Sequence, residues 1–240
     1  MTTLVVGATG ATGKLLVEQL LFMGQKVKVL VRPTGNIPGS WKDNNNISII
    51  KATVSEISVS EMTDYINDCQ SIASCLGHNI TLKGIFGKPR RLVSDAVRLL
   101  TDSIQNKSPE KPIRFVLMNT TANRNRDLSE PISFGEKLVM GLIRTLVPPQ
   151  SDNEKAAEIL RADIGQDNKF IQWVAVRPDS LINEDSVSDY EIYASPIRSA
   201  MFNPGKTSRI NVGNFMARLI VDNVLWGKWK GEMPVVYNKI

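Results

Sequence analysis

The chain has 240 residues, 42% hydrophobic and 22% charged, a size that suits one α/β domain with a substantial core. No apolar run approaches the roughly 20 residues that a membrane-spanning helix needs. Twenty-nine Lys and Arg against 24 Asp and Glu leave a net charge of +5. The excess is spread along the chain, which fits an anionic small ligand and provides no basic recognition helix for direct nucleic-acid binding.

In chain order, Thr3–Val6 is a short apolar run ended by Gly7, and Gly13–Met23 carries Leu16, Leu20 and Met23 at helical spacing before Gly24. Lys26–Val31 alternates Lys with Val and Leu and then meets Arg32, Pro33 and a loop, so it is read as a second strand. Ile47–Lys51 is the expected third strand, Val59–Asn67 a helix and Ser71–Cys75 a fourth strand. Pro89 opens a long helix with Leu92, Val93, Ala96, Leu99, Leu100 and Ile104 on one side, and Ile113–Met118 follows as the fifth strand.

Strands interleaved with helices predict a parallel sheet covered on both faces, because parallel strands need long crossovers. The expected fold class is therefore α/β, a doubly wound parallel sheet of the Rossmann type, with a small C-terminal region on the substrate side. Beyond the fifth strand, Ser133–Val147 carries an apolar stripe beside Lys137 and Arg144. It is read as an amphipathic helix for core or subunit packing, with a lid or membrane-surface role as the alternative. Asp152–Ala162 is a further helix, with Asp152 as its N-cap, Trp173–Arg177 a strand and Val212–Leu225 the last helix. Residues 1–240 form one expected domain, in which 123–149 and 179–207 shape a pocket.

The first strand leads into Gly7-Ala8-Thr9-Gly10-Ala11-Thr12-Gly13, three glycines spaced by two residues immediately before a helix. Glycines permit positive φ and close backbone approach, and a helix start offers unpaired N–H groups and a positive dipole end to a pyrophosphate. A P-loop would want Gly at 8 and Ser or Thr at 15, where this chain has Ala8 and Leu15, so phosphoryl transfer is disfavoured. An acid often meets the ribose hydroxyls about 20 residues past such glycines; here Arg32 stands at the end of the second strand. A guanidinium suits a 2′-phosphate, and a charge-assisted contact of about 1.5 to 3 kcal/mol corresponds to roughly tenfold to hundredfold preference for NADP(H) over NAD(H). Thr34 adds a hydroxyl.

Other chemistries find less support. Cys69 and Cys75 have no partner cysteine or nearby histidine at zinc-ligand spacing, so no metal site is expected and buried thiols are the simpler reading. A Ser-His-Asp triad would have to use His78, without any GxSxG to support it, and His78 is read as a loop residue. The N-terminal residues lack a basic stretch ahead of an apolar one, so a cytoplasmic location is expected.

Taken together, VVGATGATG at Val5–Gly13, VLVRP at Val29–Pro33, SCLG at Ser74–Gly77, the pair Thr120-Thr121, VRPDSL at Val176–Leu181 and the late Ser208–Val212 resemble the atypical short-chain dehydrogenase/reductases. The nearest groups are the NmrA-like proteins and those similar to biliverdin/flavin reductase. The resemblance covers most of the chain. It implies a Rossmann core that binds NADP(H) through Gly7, Thr9, Gly10, Ala11, Thr12, Gly13, Arg32 and Thr34, with Leu76, Gly77, Thr120, Thr121 and Pro178 near the nicotinamide.

The chain departs from the superfamily's Tyr-x-x-x-Lys pair, in which lysine assists a tyrosine acid. Residues four places after Tyr65, Tyr190 and Tyr193 are Cys69, Ala194 and Ile197, and Tyr237 has none. The corresponding helix reads Ser151-Asp152-Asn153-Glu154-Lys155, so a lysine remains and a serine, too weak an acid, replaces the tyrosine. Thr121 and Lys155 are the remaining catalytic candidates, and Lys88, Arg90 and Arg91 are either a solvated helix end or an anion contact. These readings lead to an NADPH-binding oxidoreductase that passes hydride to a small flavin- or quinone-like electron acceptor. The alternative is a non-catalytic NADP(H) sensor with a regulatory protein partner. A homodimer is compatible with both.

Overall fold

The computed structural model describes residues 1–78, 89–128, 130, 135, 139, 141 and 147–239. Most of the expected amphipathic helix 133–147, and Lys88 of the basic group, lie outside the described residues. The first half is a run of strand and crossover: β1 (Thr2–Val6), α1 (Ala11–Phe22), β2 (Lys26–Val31), the short α2 (Gly39–Lys42), β3 (Ile47–Lys51), a 3-10 turn (Val54–Glu56), α3 (Val59–Tyr65) and β4 (Ser71–Ser74). It continues through α4 (Leu92–Lys107), β5 (Ile113–Met118), α5 (Pro148–Glu158) with a π-helical turn (Ile159–Ile164), and β6 (Ile171–Pro178). The C-terminal part holds β7 (Ser180–Ile182), β8 (Tyr190–Tyr193), β9 (Lys206–Ser208), α6 (Arg209–Val221), α7 (Asn223–Trp229) and β10 (Val235–Asn238).

The main sheet has the order β3-β2-β1-β4-β5-β6-β10-β8, parallel except for the antiparallel edge strand β8, while β7 and β9 form a small parallel ribbon. Strand periodicity explains why helices cover both faces. On one face Leu4, Val6, Phe115, Leu117 and Trp173 pack with residues of α3, α4 and α5. Their neighbours Val5, Val116, Val174 and Val176 point the opposite way and pack with α1, α6 and α7. Consecutive apolar residues on a strand are stable only when both faces are buried, which is the reason these runs are not alternating.

Local chemistry sets several element ends. Ser58 and Glu61 form a reciprocal capping box at the start of α3: the Ser58 Oγ accepts from the Glu61 N–H, and the Ser58 N–H donates to Glu61 Oε2 at 2.9 Å. The helix expected over Val212–Leu225 is two helices, because Asp222 leaves helical geometry and its carboxylate accepts from the N–H groups of Val224 and Leu225. α4 begins at Leu92, three residues after Pro89, which lies before the helix. Among the described residues, no helix is long and apolar enough to cross a membrane.

Candidate dinucleotide-binding cleft

The chain runs outward from β1 through β2 to β3 and then crosses back to β4 on the other side of β1, so the carboxyl ends of β1 and β4 open a crevice. A cleft of about 410 Å3 lies there, within the roughly 300–1,000 Å3 usual for ligand sites. Its floor is the glycine turn. Gly7 has φ of +73°, and a Cβ on it would lie 2.7 Å from the Cys75 carbonyl carbon, so the backbone of β1 and β4 can approach only with glycine there. A Cβ on Gly13 would sit 2.1 Å from the Gly7 oxygen, which fixes glycine where α1 meets the turn.

The Gly10 N–H donates to the Gly7 carbonyl at 3.0 Å and closes the turn. Gly10 is then the N-cap of α1 and brings no side chain to its start. Thr9 and Gly10 are exposed and line the cleft, whereas Thr12 and Gly13 are buried behind them and Ala11 is exposed at the first turn of the helix. This cradle suits an anionic diphosphate: backbone room where a side chain would intrude, next to the positive end of a 12-residue helix.

Arg32, exposed at the end of β2, lines the cleft beside Leu30, and among the described residues its guanidinium forms no ion pair. Thr34 is exposed in the following loop and is not part of the described lining. Leu76 and Gly77, after β4, line the cleft beside Cys75. Burial pushes the Cys75 thiol up to about 12 and the Cys69 thiol up to about 11.

The candidates after β5 and β6 sit deeper. The Thr121 N–H donates to the Pro178 carbonyl at 3.1 Å, joining the ends of the two strands. The neighbouring Asp179 carboxylate accepts from the N–H groups of Gly205 and Ser180 at 2.9 Å each; burial raises the Asp179 carboxyl despite these bonds and the nearby Thr121 hydroxyl. Thr120 is half-buried, with its hydroxyl accepting from the Ala122 N–H at 3.3 Å. Lys155 lies on the exposed side of α5, and neither it nor Thr120, Thr121 or Pro178 is among the described residues lining the cleft.

The loop behind these threonines is anchored by an ion pair that sequence reading does not reveal. Arg177, fully buried, donates to Glu130 through both terminal nitrogens, at 3.1 and 2.7 Å. It also donates to the carbonyls of Met233, Asn123 and Ala194, so β6 is tied to the segments on either side of it.

Asp152 is buried within α5, and it caps another helix. Its carboxylate accepts from the Val93 N–H at 2.8 Å and the Ser94 N–H at 3.0 Å, at the open start of α4. The same carboxylate meets His78 Nε2 at 2.8 Å, and His78 lines the cleft. The remaining lining comes from Ala52, Thr53, Val54 and Ser55 after β3, and from Pro89 and Leu92 near the start of α4. Sequence reading passed over these residues. The signal for 52–55 was the expected end of the third strand, since ligands in open α/β sheets bind beyond the carboxyl ends of strands. Among the described residues, no group of three or more His, Cys, Asp or Glu side chains could hold a metal ion.

Comparisons with known proteins agree with this geometry. The chain is 39% identical over 71 residues to an uncharacterized chloroplastic protein of Arabidopsis thaliana, a match covering 30% of this chain and 25% of that protein. Thus the chain spans only about a quarter of the length of that relative.

Among solved structures, the oxidoreductase ylbE of Lactococcus lactis superimposes with a TM-score of 0.70 at 17% identity, over 100% of this chain and 91% of that one. A provisionally named NADH-flavin reductase of Streptococcus pneumoniae gives 0.66 at 18% identity, over 100% of both chains. A short-chain dehydrogenase/reductase of Veillonella parvula, solved in complex with NADP, gives 0.68 at 13% identity, over 99% of this chain and 94% of that one. At these identities the likeness establishes the Rossmann-type fold. The profile of the NAD(P)H-binding family matches residues 7–223, from the first glycine of the turn to the start of α7, and the chain belongs to that family.

Proposed function

We propose that the protein is an NADPH-dependent reductase that passes hydride to a conjugated acceptor of the flavin or quinone type. The observation that carries this reading is the glycine cradle at the start of α1, with Arg32 on the lip of the same cleft. Gly7, Thr9, Gly10 and the first N–H groups of α1 would hold the diphosphate, and Arg32, with Thr34 beside it, would pair with a 2′-phosphate. Leu76 and Gly77 would border the nicotinamide ribose, and Thr120, Thr121 and Pro178 would support its far end. When bound, the cofactor supplies two electrons and a proton as hydride.

The chain's own contribution is positioning and exclusion of water, which is what an acceptor stacked on the nicotinamide requires. Lys155, exposed on α5, would serve a ribose or phosphate rather than a tyrosine acid, since no Tyr-x-x-x-Lys pair exists in the chain. The segments 123–149 and 179–207 would shape the acceptor side of the single domain. The flavin-reductase name of the Streptococcus relative is consistent with the acceptor class. A cytosolic setting suits the free thiols Cys69 and Cys75; the Arabidopsis relative carries a chloroplastic name.

The missing Tyr-x-x-x-Lys pair favours a second reading, a non-catalytic NADP(H) sensor whose loaded and empty forms bind a protein partner differently. NADPH oxidation by the purified chain with a flavin and quinone panel separates the two. Saturable, acceptor-dependent oxidation supports the reductase, and binding without turnover supports the sensor.

A further inference from the structure

His78 is the chain's single histidine. Its side chain is 6% exposed, and Asp152, which receives its Nε2, is 1% exposed. The Asp152 carboxylate is held by the start of α4: the Val93 N–H shares its Oδ2 with His78, while the Ser94 N–H and hydroxyl bond Oδ1, the hydroxyl at 2.5 Å. Because the Val93 and Ser94 donors already point at this carboxylate, at the positive end of a 16-residue helix, the ring nitrogen that meets it is placed to donate, which sets the tautomer. With Nε2 engaged by Asp152, Nδ1 is the ring nitrogen left to serve the cleft that the His78 side chain lines.

Strand order gives the place of this nitrogen along the cleft. Arg32 ends β2 and the glycine turn ends β1; His78 follows β4, on the far side of the turn from Arg32. A dinucleotide with its phosphates on the turn and its adenosine toward Arg32 would direct its nicotinamide to the β4 side. We infer that His78 is a catalytic acid of the proposed reduction, with Asp152 as its positioning residue, and that its Nδ1 hands a proton to the reduced acceptor. This inference rests on the reductase reading and supplies the proton donor that the absent tyrosine leaves open.

In the step, the C4–H bond of the reduced nicotinamide breaks and its hydride forms an N–H or O–H bond on the acceptor. The displaced electron pair moves to the conjugated nitrogen or oxygen at the other end of the acceptor. That atom takes the proton from Nδ1 of the imidazolium, leaving a neutral ring that still donates through Nε2 to Asp152. Solvent returns one proton to Nδ1. One NADPH, one acceptor and one proton become NADP and the two-electron-reduced acceptor.

The test uses wild type and His78→Ala in three measurements: NADPH affinity by fluorescence titration, imidazole proton signals by NMR with and without saturating NADP, and steady-state turnover with the best acceptor. The inference expects NADPH affinity within about twofold between the proteins and a shift of the wild type's one pair of imidazole signals on loading. It also expects a fall of about 10²-fold or more in kcat with KM for NADPH unchanged, partly restored by added imidazole. Equal turnover in the two proteins, or imidazole signals that do not move, overturns the inference and leaves the reductase reading standing. Wild type that binds NADPH and reduces no acceptor overturns both. Should His78→Ala not fold, the wild-type NMR measurement decides alone.

Discussion

The buried pair Arg177–Glu130 allows the most quantitative prediction. Glu130→Ala removes three hydrogen bonds: those from the two terminal nitrogens of Arg177, at 3.1 and 2.7 Å, and that from the Asn125 N–H at 2.9 Å. Arg177 keeps acceptors at Met233, Asn123 and Ala194, but its charge is left in a site where its exposure is 0% and that of Glu130 was 2%. Taking away one partner of a buried pair costs about 3 to 5 kcal/mol, because the remaining ion is still desolvated. For a domain with a total stability of roughly 5 to 15 kcal/mol, that is a large share. Urea unfolding followed by tryptophan fluorescence should show the midpoint falling with the slope unchanged. Glu130→Gln, which keeps an acceptor and loses the charge, should fall between wild type and Glu130→Ala. A loss below about 1 kcal/mol for Glu130→Ala would refute the claim that this pair anchors the loop behind Thr120 and Thr121.

Other predictions follow from the cleft and its neighbours. Gly13→Ala places a methyl 2.1 Å from the Gly7 oxygen, so it should distort the turn and weaken NADPH binding at least tenfold in a fluorescence titration. Arg32→Glu should lower NADPH affinity about tenfold to a hundredfold and leave NADH affinity within severalfold of wild type; parallel titrations read the difference. Cys75 and Cys69, pushed up to about 12 and 11, should resist iodoacetamide at pH 8 in the folded protein and react readily once unfolded. Because both folded values lie above the roughly 8.5 of an unfolded thiol, the stability these groups confer is complete below that pH and lost as pH rises toward 11 to 12, which urea midpoints across pH would register.

What the sequence made legible is what local pattern encodes. The glycine turn, the strands through β6 and the long helix α4 each announce themselves within a few residues. So does Arg32, since its place is counted from the glycines. The edge strand β8 was missed because Tyr190–Tyr193 is four residues of mixed polarity, and it is defined by pairing with β10 rather than by its own composition. The break between α6 and α7 was hidden by apolar residues that continue in register through Asp222, whose capping role appears only when its carboxylate is seen on Val224 and Leu225.

Asp152 shows the same limit within the site. Its type suggested a helix cap, yet it caps α4, accepting from the Val93 N–H across 59 positions. No local pattern carries that information, nor the pairing of Arg177 with Glu130 across 47 positions. Such contacts depend on which strand ends the topology brings together. His78 therefore read as an ordinary loop residue until the fold placed it beside a buried carboxylate.

The central claim is that this cleft holds NADPH for hydride transfer, and the most direct measurement is NADPH oxidation by purified protein against flavins, quinones and simple carbonyl compounds, with Arg32→Glu and heat-inactivated protein as controls. The account predicts saturable oxidation that depends on a flavin or quinone, falls with Arg32→Glu and vanishes on heating. Oxidation no faster than in the heated control, in samples where NADPH binding is demonstrated, would contradict it.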